Sequence, residues 1–232
     1  MNWIKNNMEE IIHHSMTWVG GICAVYAIMI RGGNFGAAQT SNLIALVLDF
    51  VAKDIPSLFL RLLILFAYGF SLIVAYLVSI RCPHHAKYIC FLIESICCIL
   101  AGLIPTTVNP LLALSPIFIL SAFQWQIFTE AKHYNSSTLF STNNLKQMLL
   151  SWTNYKINGD LEQKKKAFFF IRTLLSFHTG IFAGYFIVSY FDSKGIWFAL
   201  FPMAIAILCT ISVEKADSNI YHLYDNTVKI QQ

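Results

Sequence analysis

The sequence predicts an all-α polytopic membrane protein of about six transmembrane helices, in two inverted three-helix repeats, each with an extra short half-helix. Three observations predict this class. Of the 232 residues 56% are hydrophobic and only 12% are charged, long uncharged stretches recur along the chain, and the two halves carry matching motifs. A soluble domain usually carries about 25% charged residues. Lipid is therefore expected to be the solvent for much of the surface.

The spans follow from the length of the uncharged stretches. A helix that crosses a bilayer needs about 20 predominantly apolar residues. Six stretches approach that length, at residues 15–30, 62–80, 87–104, 108–129, 173–191 and 195–213. Glu9 and Glu10 precede the first of them, which is unlike a cleavable signal peptide, so this stretch is expected to remain as a span.

Two further apolar segments, residues 37–51 and 138–152, are too short to cross comfortably. Each follows a polar, irregular stretch, at 32–36 and at 133–137. Irregular backbone at membrane depth persists only where protein or a wet cavity satisfies its polar groups. Both segments are therefore predicted to be half-membrane helices.

The orientation follows from the Lys and Arg residues of the predicted loops. Eleven of them lie on the side of the N-terminus, whereas only Arg31, Lys53 and Lys194 lie on the other side. Cytoplasmic loops carry the excess of positive charge, so both termini are predicted to be cytoplasmic, with residues 214–232 as a tail. The basic run at 164–166 is interpreted as an anchor beside a span, and no nucleic-acid partner is expected.

The single membrane domain, residues 1–232, is predicted to contain repeat one at 12–108 and repeat two at 109–213. The motif Gln-Thr-Ser-Asn-Leu at 39–43 matches Ser-Thr-Asn-Asn-Leu at 141–145. Arg61 precedes Gly69 by eight residues, as Arg172 precedes Gly180. Three spans per half is an odd number, so the second half should be inverted relative to the first. Binding sites of such proteins lie where broken helices of the two halves meet.

These motifs resemble those of the YoaK family of uncharacterised bacterial integral membrane proteins. The resemblance covers about residues 10–215 and rests on the motifs at 20–25, 32–42, 122–128 and 137–146. It implies a multi-pass protein of the bacterial inner (plasma) membrane and no particular activity. The chain departs from the family at Ala24, Ser41 and Asn143, where the family has Asp, Gly and Gly, so this member is predicted to be a divergent branch whose function is altered or lost.

Polar residues inside apolar stretches are the candidates for a solute pathway: Thr40, Asn42, Glu94, Gln124, Thr142, Asn144 and His178. Each has a structural alternative. The Thr and Asn residues are also favoured as helix N-caps. Glu94 is interpreted as a cation or proton site, as a partner of Arg61 or Arg172, or as a neutral, hydrogen-bonded acid. His178 is either a proton relay or a packed imidazole that donates to a carbonyl.

Arg61 and Arg172 are repeat-related and are predicted to serve as charge partners, as interface anchors or in the recognition of an anionic solute. The sequence lacks the motifs of hydrolases, zinc proteases and nucleotide-binding enzymes, and its cysteines form no C-x-x-C pair. We therefore expect a non-enzyme without a metal or cofactor.

The predicted function is a transporter or permease for a small solute or an ion, with its site between the two repeats. A non-transporting membrane scaffold or assembly factor is the alternative, and an intramembrane enzyme ranks third. The predicted partners are the lipid bilayer and an unknown small solute or ion. Whether the chain forms a homo-oligomer stays open.

Overall fold

The computed structural model describes residues 2–34 and 39–230, and the side chains of 7–34 and 39–216. The described chain is helical apart from loops and one small hairpin. Its helices are α1 (Asn2–Ile30), α2 (Gln39–Val51), α3 (Ile55–Arg81), α4 (Ala86–Leu103), α5 (Pro110–Ala113), α6 (Ser115–Ile127), α7 (Ser141–Asn158), α8 (Leu161–Phe191) and α9 (Leu200–Ile230). A 3₁₀ helix, Asp192–Ala199, joins α8 to α9, and strands β1 (Glu130–Ala131) and β2 (Tyr134–Asn135) form the hairpin.

Local signals set the helix boundaries. Asp54 caps α3, where its carboxylate accepts from Ser57 N at 3.2 Å. Its hydrogen bonds with Ser57 lower the pKa of this carboxyl. Gly159 ends α7 with a φ of 70°, and Asp160 caps α8 one residue later. Because a glycine at a positive φ ends one helix and the next residue caps another, the connection between α7 and α8 is short.

Four stretches of the described chain are helical, long and apolar enough to cross a membrane: Asn7–Ile30, Ile55–Arg81, Ala86–Leu103 and Leu161–Ala216. The last contains both α8 and α9. Apolar side chains cover the outside of these helices, and only 22% of the most apolar part of α3 is buried. Such a surface is compatible with a membrane protein, in which lipid covers it.

Several predicted boundaries differ from the structure. The stretch predicted as one span over 108–129 is divided into α5 and the 13-residue α6, because Pro110 and Pro116 each favour a new helix start. The stretch at 195–213 begins in the 3₁₀ helix, and α9 continues through most of the predicted tail, to Ile230. The short segment predicted at 37–51 is α2 from Gln39 onward, and residues 37 and 38 lie outside the described chain.

The helices pack in a regular pattern. Helix α1 contacts α8 and α9 along its length, and α6 contacts α3 and α4. The short helices pack at the side, α2 on α3 and α7 on α8. Helices α1, α4 and α6 supply most of the buried core, including Tyr26, Cys98 and Phe118.

Candidate functional site between the two short helices

A cavity of about 750 Å³ lies where the two short helices begin. The first turn of α2 contributes Gln39 and Thr40, and the first turn of α7 contributes residues 141–143. The remaining walls are mainly aromatic and come from α3, α6, α7, α8 and the segment before α7: Tyr68, Trp125, Leu139, Phe140, Lys146 and Phe177. We call this the central cavity. The two matching motifs of the sequence thus meet at one site.

The polar groups of the central cavity favour negative charge or hydrogen-bond acceptors. The positive end of the helix dipole lies at the N-terminus of a helix. Both α2 and α7 begin at this cavity, and among the described residues that line it, Lys146 is the one that carries a charge. The Thr40 and Thr142 hydroxyls can donate or accept.

Residues 128–140, here called the return segment, lead from the end of α6 back to the start of α7. Strands β1 and β2 pair antiparallel with Ala131 opposite Tyr134. Lys132 and His133 form the two-residue turn with φ of 51° and 63°, the positive φ values that a type I′ hairpin turn requires at both central residues.

The return segment then runs along α1 toward the middle of that helix. Ser136 Oγ lies 3.0 Å from His13 Nε2, and two residues later the carbonyl of Thr138 meets α1 at Gly20. A Cβ at Gly20 would lie 2.3 Å from Thr138 O, so a side chain there would push the segment away. The segment just before α7 is thereby held against the middle part of α1.

Asn144 fastens the return segment to α7. Its Nδ2 donates to Ser137 O at 2.7 Å and to Phe140 O at 3.2 Å. Its Oδ1 accepts from Ser136 Oγ at 3.1 Å and from Ser137 N at 3.3 Å. Asn144 is buried, so this predicted pathway residue supports the cavity wall and does not line the cavity.

Gln124 has the same supporting role from α6. Its Nε2 donates to Met16 O at 2.7 Å and to Thr138 Oγ1 at 3.0 Å. The side chain is fully buried, and Oε1 has no hydrogen-bond partner. Gln124 therefore ties the return segment to α1 behind the central cavity.

Arg61 and Asn42 lie at a second, water-sized cavity of about 10 Å³ between α2, α3, α5 and α6. Gln39 lines both cavities. Arg61 Nε donates to Asp49 Oδ2 at 2.6 Å, which joins α3 to α2, whereas the buried Arg61 Nη1 has no partner. The guanidinium thus anchors α2 to α3.

The prediction that Glu94 could pair with Arg61 or Arg172 is wrong. Arg172 instead pairs with Glu10, at 2.5 Å between Nη2 and Oε1, and Glu10 also pairs with Lys132. Glu94 is fully buried on α4, where Cys90 Sγ donates to its Oε1 at 3.0 Å and Oε2 has no partner. The arginines are thus paired with Asp49 and Glu10, and neither pairs with Glu94.

His178 does not contribute to the central cavity. Its side chain is exposed on α8, and Nδ1 lies 2.7 Å from the Leu174 carbonyl oxygen, to which it donates. This is the structural alternative considered for His178. Thr40 and Thr142 are the predicted residues that do line the cavity.

Sequence reasoning missed two buried polar groups. Arg31 is completely buried and donates to Tyr26 Oη and to the carbonyls of Ala101, Ile104 and Pro105. His13 is also buried. The burial of His13 could have been suspected from the sequence, because His13 and His14 are adjacent and precede an apolar stretch.

Comparison with known proteins yields one family. A family model described as "Protein of unknown function (DUF1275)" matches residues 12–211, which covers α1 through most of the apolar part of α9. Neither the curated proteins nor the solved structures provide a match.

Proposed function

Because this chain belongs to the DUF1275 family, whose function is unknown, we propose from its own geometry that it transports a small solute or an ion across a membrane. The central cavity is the proposed binding site. The observation that carries the proposal is that the first turns of α2 and α7 both line this one cavity. The narrower kinship with YoaK proteins and a location in the bacterial inner membrane are parts of the same proposal.

Six spans in two inverted repeats are consistent with the packing. The candidate stretches comprise α1, α3, α4, α8 and α9, and the buried α6 supplies the sixth together with α5. In two such repeats α1 would correspond to α6, α3 to α8, and α4 to α9. The α1–α8 contact then corresponds to the α6–α3 contact, and the α1–α9 contact corresponds to the α6–α4 contact. The α2–α3 and α7–α8 pairs correspond in the same way. A two-fold relation between residues 12–108 and 109–213 would produce this pattern.

The position of α7 supports its role as a half-membrane helix. The return segment contacts α1 at His13 and then at Gly20, about 10 Å further along at 1.5 Å per residue. Gly20 lies in the middle part of the candidate stretch Asn7–Ile30. A helix that begins at this depth directs its N-terminus toward the interior of the bilayer, as in transporters with discontinuous helices.

Cytoplasmic termini remain the proposed orientation. Arg31, one of three basic residues predicted on the opposite side, is completely buried as a partner of backbone carbonyls. The excess of positive charge in exposed loops on the side of the termini is therefore larger than the sequence count suggests, which favours this orientation.

The proposed solute carries an anionic or hydrogen-bond-accepting group. Two helix N-termini and Lys146 surround a cavity whose other walls are largely aromatic. The positive end of the helix dipole at a helix N-terminus favours a bound anion. A small carboxylate with an apolar body would match both features.

The test uses the full chain in proteoliposomes, with currents measured after concentration jumps of small carboxylates, amino acids, phosphate, chloride and uncharged polyols, and with labelled-solute uptake for neutral compounds. We expect at least one anionic solute to be transported, and Thr142→Trp to reduce the rate at least tenfold by filling the cavity. Ile44→Trp is the matched control, because Ile44 lies on the exposed face of α2, and it should keep the rate within twofold.

The non-transporting scaffold remains the competing function. It predicts no flux with any member of the panel, or a flux that Thr142→Trp and Ile44→Trp change equally. Either result would contradict the transport proposal.

A further inference from the structure

Helices α7 and α8 meet at a corner that carries four lysines. Lys156 lies in the last turn of α7, and Lys164, Lys165 and Lys166 lie near the start of α8. Residues 159–160 form the short connection between the two helices. We call these four lysines the basic corner.

Two carboxylates lie in the same corner, and both are already engaged. Glu162 Oε1 accepts from Lys165 Nζ at 2.7 Å, and Asp160 Oδ1 accepts from the Glu162 backbone N–H at 2.8 Å. The other three lysines have no carboxylate partner within the described part of the chain: Lys156, Lys164 and Lys166. Their ammonium groups are therefore available to an anion from outside the protein.

Two of these unpaired ammonium groups lie over aromatic rings. Lys156 Nζ is 5.3 Å from the centre of the Trp152 ring and 5.9 Å from that of Tyr155. Lys164 Nζ is 5.3 Å from the centre of the same Tyr155 ring. One ring thus brings a lysine of α7 and a lysine of α8 together. Like charges repel each other, and an anion bound between these two lysines offsets their repulsion.

Polarity decreases along α7 and α8 with distance from the corner. Tyr155 and Trp152 follow the lysines, and the Trp152 ring contacts that of Phe168, with 5.9 Å between centroids. The next large apolar side chains are exposed: Leu149, Phe168 and Leu175. Basic groups, amphipathic aromatic rings and apolar side chains occur in this order from the surface of a bilayer to its interior. The corner therefore matches a phospholipid from its headgroup to its acyl chains.

The depth of the corner agrees with this order. Helix α8 runs beside α1 in the same direction, with Phe169 next to His13 at 5.6 Å between ring centroids. Along α1, His13 lies about 10 Å from Gly20, and along α8, Lys164 lies about 7 Å beyond Phe169. With Gly20 near the middle of the bilayer, Lys164 is about 17 Å from it. The half-thickness of the hydrocarbon core is about 15 Å, so the lysine reaches the headgroups.

We propose that the basic corner binds the headgroup of an anionic phospholipid. Phosphate oxygens of the lipid accept from Lys156 and Lys164, the rings of Tyr155 and Trp152 lie beside its carbonyl groups, and an acyl chain lies against Phe168. A zwitterionic headgroup carries a cation that these lysines repel, so the corner discriminates between the two lipid classes. The proposal requires α8 to cross a membrane, but it does not depend on transport.

The first measurement titrates the full chain, in a neutral detergent, with short-chain phosphatidylglycerol or phosphatidylcholine and records bound lipid by native mass spectrometry. Each lysine near a membrane surface strengthens binding to anionic lipid by about fivefold, so we expect phosphatidylglycerol to bind at least tenfold more tightly. Lys156→Gln together with Lys164→Gln should reduce this preference to less than threefold.

The matched control is Lys53→Gln together with Lys194→Gln, because these two lysines are exposed and are predicted on the other side of the membrane. It removes the same charge and should keep the preference for phosphatidylglycerol. Equal binding of the two lipids by the unmodified protein, or an equal loss of preference in the two double variants, overturns the proposal.

The second measurement locates the lipid through quenching of tryptophan fluorescence in phosphatidylcholine nanodiscs that contain a small fraction of lipid with brominated acyl chains. We expect brominated phosphatidylglycerol to quench more than brominated phosphatidylcholine. Trp152→Phe should abolish this difference, and Trp125→Phe, at the central cavity, should keep it. A difference that persists in Trp152→Phe overturns the proposal.

The outcome for the lipid site is separate from that for transport, because neither measurement uses a solute. A protein that gives both expected results without solute flux would support the lipid site and refute the transporter. A protein that transports a solute but binds both lipids equally would refute the lipid site alone.

Discussion

Gly180 on α8 lies against the backbone of Trp18 on α1: a Cβ built at Gly180 would be 2.8 Å from the Trp18 carbonyl oxygen. The contact is reciprocal, since a Cβ at Gly21 would be 2.5 Å from Phe177 O. Small residues allow helices in membranes to approach this closely. The first helix of one half is thus joined to the second long helix of the other half through glycine.

Gly180→Ala should therefore separate α1 from α8. Backbone atoms cannot rotate away from the added methyl, so we expect a loss of about 1–3 kcal/mol and a lower thermal midpoint in detergent or nanodiscs. Gly69→Ala is the matched control, because a Cβ at Gly69 meets nothing within 4 Å. An equal effect of the two substitutions would contradict the role given to close packing.

Asn144→Ala should release the return segment. It removes the groups that hold Ser136, Ser137 and Phe140, and unsatisfied buried partners cost about 1–3 kcal/mol. We expect a lower midpoint and faster hydrogen exchange in the segment, measured by mass spectrometry. Asn143→Ala changes an exposed side chain at the cavity and should keep stability within about 0.5 kcal/mol. Unchanged exchange in Asn144→Ala would refute the fastening.

Arg31→Met should destabilise the end of α4. The guanidinium donates to three carbonyls at the C-terminal end of that helix, at 2.7–3.2 Å, where a cation is also favoured by the dipole. We expect a loss of at least about 2 kcal/mol, of which Arg31→Lys recovers only part, because lysine lacks the planar fork. Lys194→Met, at an exposed position, should leave the melting midpoint unchanged. If Arg31→Lys had the full stability of the unmodified protein, the positive charge alone would account for the role of Arg31, contrary to this prediction.

The short helices could be predicted from the sequence because the pattern that indicates each of them lies within one segment. Apolar runs that begin after polar, irregular stretches predicted segments at 37–51 and 138–152, and the structure contains helices from Gln39 to Val51 and from Ser141 to Asn158. These inferences needed only the order of residues along one segment.

The side-chain partners could not be predicted in this way, since they depend on which helices become neighbours. His178 looked central in its span but faces outward, whereas His13, near the start of α1, is enclosed by the hairpin and α8. Arg31 was assigned to a loop, yet the end of α4 surrounds it. For His13 and Arg31 the deciding contacts join residues that are at least 70 positions apart in the sequence.

Glu94→Gln decides between the two interpretations of the buried acid. Glu94 has Cys90 Sγ as its hydrogen-bond donor and lies apart from the residues that line the central cavity. An ionised carboxylate that is completely buried without a cation would be very costly. A neutral, hydrogen-bonded acid is therefore the state that the packing favours.

We expect Glu94→Gln to keep the thermal midpoint and the solute flux close to those of the unmodified protein, because the amide has the same shape and no charge. Glu94→Ala should instead lower stability by about 1–3 kcal/mol, since it leaves a void and removes the acceptor of Cys90. The measurements are melting curves and proteoliposome currents on the same preparations. A Glu94→Gln protein that is fully folded but has lost flux would identify Glu94 as a cation or proton site, contrary to this expectation.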